Sequence, residues 1–336
     1  QPIIRGMSGP RVKILKNGVV NRDVSGLGVD HLNDVDLHDI SQVEIVKGPS
    51  SLLYANGTIG GIINVVDDCI SALNYELPEI SVGYETQSVN DGNSENFNFK
   101  NNINGFNVNF GYKNIDFGNY DIPSGAILHE EEDHDDHDDH DEDEHHDEDM
   151  GFLNNSDYAV EATKFGISKV GDWGYVGFSV DNLESVYGIP FHGDEHGDEH
   201  GDEHGDEHGD EEEHDEHGEE RIFSTTDSES FTIKGSYNIN GSLINKIDFN
   251  YRDSDYSLTE DHEEEEHHEE DEHDEEEEHE EHAPTVFMNE AVEYGATFDI
   301  SNDSSTQKVV VNFVDEDNSI VGEEAFMNPA NSKEFT

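Results

Sequence analysis

The chain has 336 residues and carries 83 acidic against 16 basic side chains, a formal net charge of −67. So anionic a molecule repels phosphate, which excludes nucleic acid as a partner. The single cysteine, Cys69, excludes an intramolecular disulfide and thiolate zinc sites of the CxxC kind, and no apolar run of about 18 residues exists to form a transmembrane helix.

The first 72 residues contain short β-branched runs, "RVKILKNGVV" and "QVEIVKG", and a glycine-rich "YANGTIGGIINVV". Tight glycine turns between such runs predict a small mixed α/β unit over 1–72. Cys69 at its end is expected to be a small, half-buried residue. The chain starts with Gln1, shows no signal peptide, and stops at "NPANSKEFT" as a new strand begins. A fragment of a longer protein is therefore expected.

From residue 79 the texture changes to alternation with period two. In "FNVNFGYK", Phe106, Val108, Phe110 and Tyr112 share one face, and Asn107, Asn109, Gly111 and Lys113 the other. Ile247, Phe249 and Tyr251 alternate in the same way with Asp248, Asn250 and Arg252. Such strands have one apolar and one polar face, which suits a soluble sandwich or a transmembrane barrel. Connection lengths decide between them. Short turns at 102–105, 171–174, 238–242 and 301–305 alternate with long connections at 119–157, 188–222 and 259–288. In an up-and-down meander every long connection then emerges at one end, the pattern of an outer-membrane barrel. The predicted fold is a plug-like α/β unit followed, over 79–336, by about ten strands of an incomplete antiparallel transmembrane β-barrel.

The long connections hold three acidic blocks at 129–149, 192–220 and 260–282, which contain every histidine except His31 and His38. The second repeats "HGDE" four times from His192 to Glu207. Neutral imidazole with carboxylate suits zinc, with nickel and copper(II) also chemically competent. A glycine-punctuated loop cannot fix four ligands without a large ordering cost, so the blocks are expected to bind many ions weakly and exchange them fast. Their charge concentrates cations at that end. Solvated acidic spacers are the plainer alternative, and the repeated histidines argue against it.

The first unit resembles the plug of TonB-dependent outer-membrane receptors. The resemblance rests on Arg5-Gly6, Asn17-Gly18, Gly48-Pro49, Tyr54, Gly57, Gly60-Gly61 and Asn64 in "PIIRGMSGPRVKILKNGVV…VEIVKGPSSLLYANGTIGGIINVV", with Asn56 and Thr58 as departures. It covers about residues 2–68. Within that family, "DVSGLGVDH", "YGIPFH" and "GEEAF" look most similar to zinc-uptake receptors. The resemblance implies a barrel of about 22 strands, a single such barrel working as a monomer in outer-membrane lipid, an energy-transducing TonB complex as partner, and zinc as the transported ligand.

Candidate metal ligands follow. Asp30 and His31 are adjacent in the plug segment that resembles the zinc receptors, and a lone polar pair is the plainer account of them. Asp23 and Asp34 are weaker candidates, and His38, just before a strand, is expected to be structural. Glu323 and Glu324 follow a predicted strand, and His192 lies at the root of its block, ahead of the repeat histidines His196, His200, His204 and His208. Nothing indicates catalysis: no GxxxxGK[ST] loop is present, and Ser/His/Asp coincidences occur only inside the low-complexity tracts. Three functions remain open: a receptor importing zinc, a receptor for haem, a metal chelate or another divalent metal, and a surface metal buffer.

Overall fold

A computed structural model describes residues 2–24, 31–33, 35–55, 57–126, 151–190, 221–239, 241, 244–263, 283–301, 305, 307–322 and 325–336. The first unit is a four-stranded sheet built from β1 (Val12–Lys16), β2 (Val19–Val20), β3 (Ile40–Val46) and β4 (Gly61–Asp67), in the order β2-β1-β4-β3. β1 and β4 are parallel, and the outer pairs are antiparallel. Asn17 (φ 55°) and Gly18 (φ 87°) close the β1–β2 hairpin, because a two-residue turn that matches strand twist needs two left-handed residues. Gly61 has φ 135°, and a Cβ there would meet Val46 O at 2.7 Å, so β4 can approach β3 only with glycine at its start. The expected α/β character is corrected: the described residues of this unit hold only 3₁₀ turns, Gly9–Arg11 and Pro49–Leu53. Both begin at or beside a proline and are too short to complete an α-helical nucleus.

The second unit is a ten-stranded antiparallel meander: β5 (Glu79–Gln87), β6 (Gly92–Ile103), β7 (Phe106–Phe117), β10 (Tyr158–Gly171), β11 (Gly174–Gly188), β12 (Arg221–Asn238), β13 (Lys246–Glu263), β14 (Thr285–Asp299), β15 (Lys308–Val321) and β16 (Ala330–Phe335). Each strand pairs with its sequence neighbour in this series, and β5 and β16 are the sheet edges. A two-residue ribbon, β8 (Tyr120–Asp121) with β9 (Phe152–Leu153), closes the root of the first long connection. All long connections leave the same end of the sheet. β13 runs through Glu260–Glu263, pairing with Arg221 and Thr285 on either side, so the third acidic block begins inside a strand.

The burial pattern is inverted relative to a soluble sheet. Val176, Phe178 and Val180 of β11 are exposed, while Ser179 between them is buried. Register aligns the outward residues into rows across five strands: Phe178, Ile233, Tyr251, Tyr294 and Phe313 in one, Val176, Gly235, Phe249, Ala296 and Val311 in the next. Aromatic rings touch along the first row, with Tyr251 and Tyr294 centroids 5.1 Å apart and Tyr294 and Phe313 6.2 Å apart. Trp173 and Tyr237 pair at the short-turn end, where an interfacial aromatic belt would lie. The inward rows are polar: Asn98, Asn107, Asn109, Lys164, Ser168, Ser230, Arg252 and Glu293 are all buried, against the first unit. Apolar outside and polar inside is what a sheet facing hydrocarbon requires.

Arginine at Val176, one row in from the short-turn aromatic pair, should cost about 1–3 kcal/mol in a bilayer, between the interface and midplane values. Urea unfolding of the full-length protein in lipid vesicles measures this, with Val176→Leu expected to be nearly neutral.

Candidate functional site

At the end from which the long connections leave, the strand tips turn an apolar cluster inward. It comprises Tyr187 of β11 and Ile189 just after it, Ile222 of β12, Tyr256 and Leu258 of β13, Phe287 of β14 and Ile320 of β15, with Val24 of the first unit. His31 is buried here too, 7% exposed, its ring edge-on to Phe287 with centroids 5.6 Å apart. The neighbouring Leu32 N–H points to the Tyr187 hydroxyl at 3.5 Å. His31 Nδ1 is buried with no hydrogen-bond partner among the described residues. A buried, unpaired imidazole nitrogen in apolar surroundings loses hydration without replacement, and a metal ion is one partner that would restore it.

Asp30, His192, His196, His200, His204, His208, Glu323, Glu324 and Asp34 lie outside the described residues. Their flanks are placed, and those flanks converge. Ile189, three positions before His192, and Ile320, three before Glu323, both belong to the cluster that Phe287 shares with His31, and Met327 packs against it. Asp23, by contrast, accepts a hydrogen bond from Asn21 at 2.9 Å. Among the described residues, no group of three or more His, Cys, Asp or Glu side chains is spaced to hold a metal. Cys69 is buried, and burial raises its thiol well above the ordinary value, so it is an inert packing residue.

Deeper in the lumen, charged pairs seat the first unit against the wall. Lys16 Nζ donates to Asp181 at 2.7 Å and lies 4.0 Å from Asp67. Burial opposes its charge, and Asp181 and then Asp67 outweigh burial, so the Lys16 pKa stands above the usual lysine value. Arg22 is clamped between two wall carboxylates: its Nε and a terminal nitrogen reach Glu293, and another lies 2.9 Å from Glu316. Here too the carboxylates overcome desolvation and raise the pKa. Toward β10, β7 and β6 the polarity reverses. Asp39 pairs with Lys100 at 2.9 Å, and Asp36 faces Lys113 at 3.7 Å and Lys164 at 4.0 Å. Lys164 also donates to the His38 carbonyl at 2.8 Å, and His38 Nε2 lies 2.7 Å from the Asn98 amide. His38 is thus part of the seat.

Sequence reasoning named Lys113 and Arg252 only as members of polar rows and passed over Lys16, Arg22, Asp181 and Glu293 altogether. The available signal was scarcity. In a chain with 16 basic residues, lysines and arginines inside alternating strands stand out as needing partners.

Comparison with known proteins places these units. Residues 1–62 match the family model described as TonB-dependent Receptor Plug Domain. A hemin receptor of Yersinia enterocolitica is 34% identical over 88 residues, 26% of this chain and 12% of that protein. A vitamin B12 transporter of Vibrio vulnificus is 29% identical over 85 residues, 25% of this chain and 14% of that protein. Among solved structures, the FrpB iron transporter of Neisseria meningitidis matches with TM-score 0.62 at 12% identity, covering 96% of this chain and 43% of that one. A copper transporter, OprC, matches with TM-score 0.63 at 11% identity, covering 98% and 43%. The fold is therefore the plug and partial barrel wall of such proteins, and the chain spans less than half of their length.

The His38 seat carries a pH dependence. Burial is the main influence and pushes the His38 pKa below the ordinary value; the Asp36 carboxylate opposes it, Lys164 adds to it, and Asp39 and Lys113 have smaller effects. The folded state therefore prefers neutral imidazole. Its contribution is complete above the unfolded pKa of about 6.5 and is lost as pH falls from there through the lower folded value. Asp67, held below the ordinary carboxylate value, gives up its contribution only below about pH 4. Amide exchange in Ile40–Val46, corrected for intrinsic rate, should accelerate between pH 7.5 and pH 5.5. The acceleration should disappear in His38→Gln.

Proposed function

We propose that the chain is part of a TonB-dependent receptor in a bacterial outer membrane that imports zinc. The acidic blocks gather the metal, a site around His31 selects it, and work delivered through TonB displaces the plug. The observation that carries this reading is His31: a buried imidazole whose Nδ1 has no partner among the described residues, against Phe287 of the cluster that also holds Ile189 and Ile320. Asp30 with His31 would supply the plug's ligands, and Glu323, Glu324 and His192 would supply those of the wall. Neutral nitrogen with carboxylate is a borderline donor set that suits zinc. The receptor would act as a monomer in outer-membrane lipid.

The same site admits a second reading, in which the cargo is haem, a metal chelate, nickel or copper(II). The similarity of the plug segment to a protein named as a hemin receptor favours keeping it. Competition among the metals at the intact receptor separates the two, with copper(II) expected to gain from affinity order alone.

Zinc uptake by starved cells carrying the full-length protein tests the site. His31→Ala should raise the zinc concentration for half-maximal uptake by about tenfold or more, the equivalent of one ligand bond worth about 1.4 kcal/mol or above. Unchanged uptake by a normally expressed His31→Ala protein would remove His31 from the site.

The blocks are tested separately. A peptide of residues 192–217 should lose most of its zinc binding between pH 7.5 and pH 5.5. Imidazole, with a reference pKa of about 6.5, must be neutral to bind, and crowded carboxylates favour its protonated form. Calcium binding should persist, because the carboxylates stay ionised at both pH values. Equal zinc affinity at the two pH values in calorimetry would reduce the blocks to acidic spacers.

A further inference from the structure

Between β1 of the plug and strands β11, β12 and β13 of the wall lies a small polar cavity, lined by three cations and two carboxylates: Lys16, Lys234 and Arg252 with Asp67 and Asp181. The carboxylates are committed, since Asp181 accepts from Lys16 at 2.7 Å and Asp67 accepts from Asn17 at 3.0 Å and from the Cys69 N–H at 3.0 Å. Register puts Arg252 directly opposite Glu293, and Asp181 is the other wall carboxylate near it. Glu293 is held by Arg22 of the plug. Arg252 is therefore 8% exposed, its Nε is buried with no hydrogen-bond partner, and it forms no ion pair with a described residue. Lys234, two positions from Thr232 and on the same face, has no ion pair among the described residues either. Asp181 and Glu293 are held by the plug's Lys16 and Arg22, so Arg252 and Lys234 are left without a direct ion pair among the described residues, and Arg252 Nε without a hydrogen-bond partner there.

Buried Arg252 and half-buried Lys234 line this cavity, with hydroxyl and amide groups of Ser179, Thr232 and Asn250 beside them, and together they form a built site for an anion. The cavity is small, about 30 Å³, and admits a compact anion such as a halide. It lies toward the short-turn end: Lys234 is four positions before the end of β12, and Arg252 six after the start of β13. An anion can thus enter from the end opposite the acidic blocks. We propose that a chloride-sized anion binds between Arg252 and Lys234 and stabilises the seated plug. The site exists only while plug and wall are together, so the anion favours that state by mass action. This inference does not depend on what the receptor carries.

Crystals of the full-length receptor grown in bromide should show an anomalous peak within contact distance of Arg252 and Lys234. In solution, amide exchange in Val12–Val20 should slow about tenfold at a halide concentration ten times the Kd, against gluconate at equal ionic strength. The double variant Arg252→Gln, Lys234→Gln should lose the halide effect. A cavity without a bromide peak, with the same exchange rates in bromide and gluconate, would overturn the proposal even if the double variant failed to fold. Protection by phosphate and not by halide would overturn the assignment of the ion.

Discussion

Hydrocarbon accepts no hydrogen bonds, and most of this architecture follows from that constraint. A sheet can face such a medium only if its backbone groups are paired within it and its outward side chains are apolar. The outward rows through Phe178 and Val176 meet that demand strand after strand. Because successive side chains alternate, the same strands must then turn Ser179, Arg252 and Glu293 inward. The lumen is polar as a consequence, and whatever fills it must satisfy buried charge. The plug does so with side chains from both ends of its sheet: Lys16 and Arg22 from around β1 and β2, and Asp36 and Asp39 ahead of β3.

The parts legible in the sequence were those governed by local rules. Period-two alternation located the strands, because the pleat writes that period directly into the residue order. The alternating lengths of the connections gave the sidedness of the sheet, since an antiparallel meander leaves no other arrangement. Asn17-Gly18 marked its hairpin because only left-handed residues fit there. The 3₁₀ character of Pro49–Leu53 was not legible, since five residues have no periodicity to read. Nor was the plug seat. Arg22 meets Glu293 across 271 positions, and Lys16 meets Asp181 across 165. No local pattern encodes a partner at that separation. Of the candidate site, His31 was singled out by its segment, but its burial against Phe287 depends on how deeply the plug enters the wall.

The ion pairs also fix how the plug is turned. Its cations, Lys16 and Arg22, face carboxylates on β11, β14 and β15, namely Asp181, Glu293 and Glu316. Its carboxylates, Asp36 and Asp39, face lysines on β6, β7 and β10, namely Lys100, Lys113 and Lys164. The plug cations thus meet wall carboxylates and the plug aspartates ahead of β3 meet wall lysines, while Lys234 and Arg252 on β12 and β13 lie between the wall carboxylates. Displacing it would break these pairs and bring plug cations toward Lys164, Lys234 or Arg252 of the wall. At buried positions each such like-charge approach is penalised, and each partner abandoned leaves a desolvated charge. A surface salt bridge contributes little to stability; this set, half-buried and shared between two surfaces, contributes orientation. The orientation in turn carries Val24 and His31 to the apolar cluster under the long connections, and it leaves Arg252 beside a carboxylate already taken.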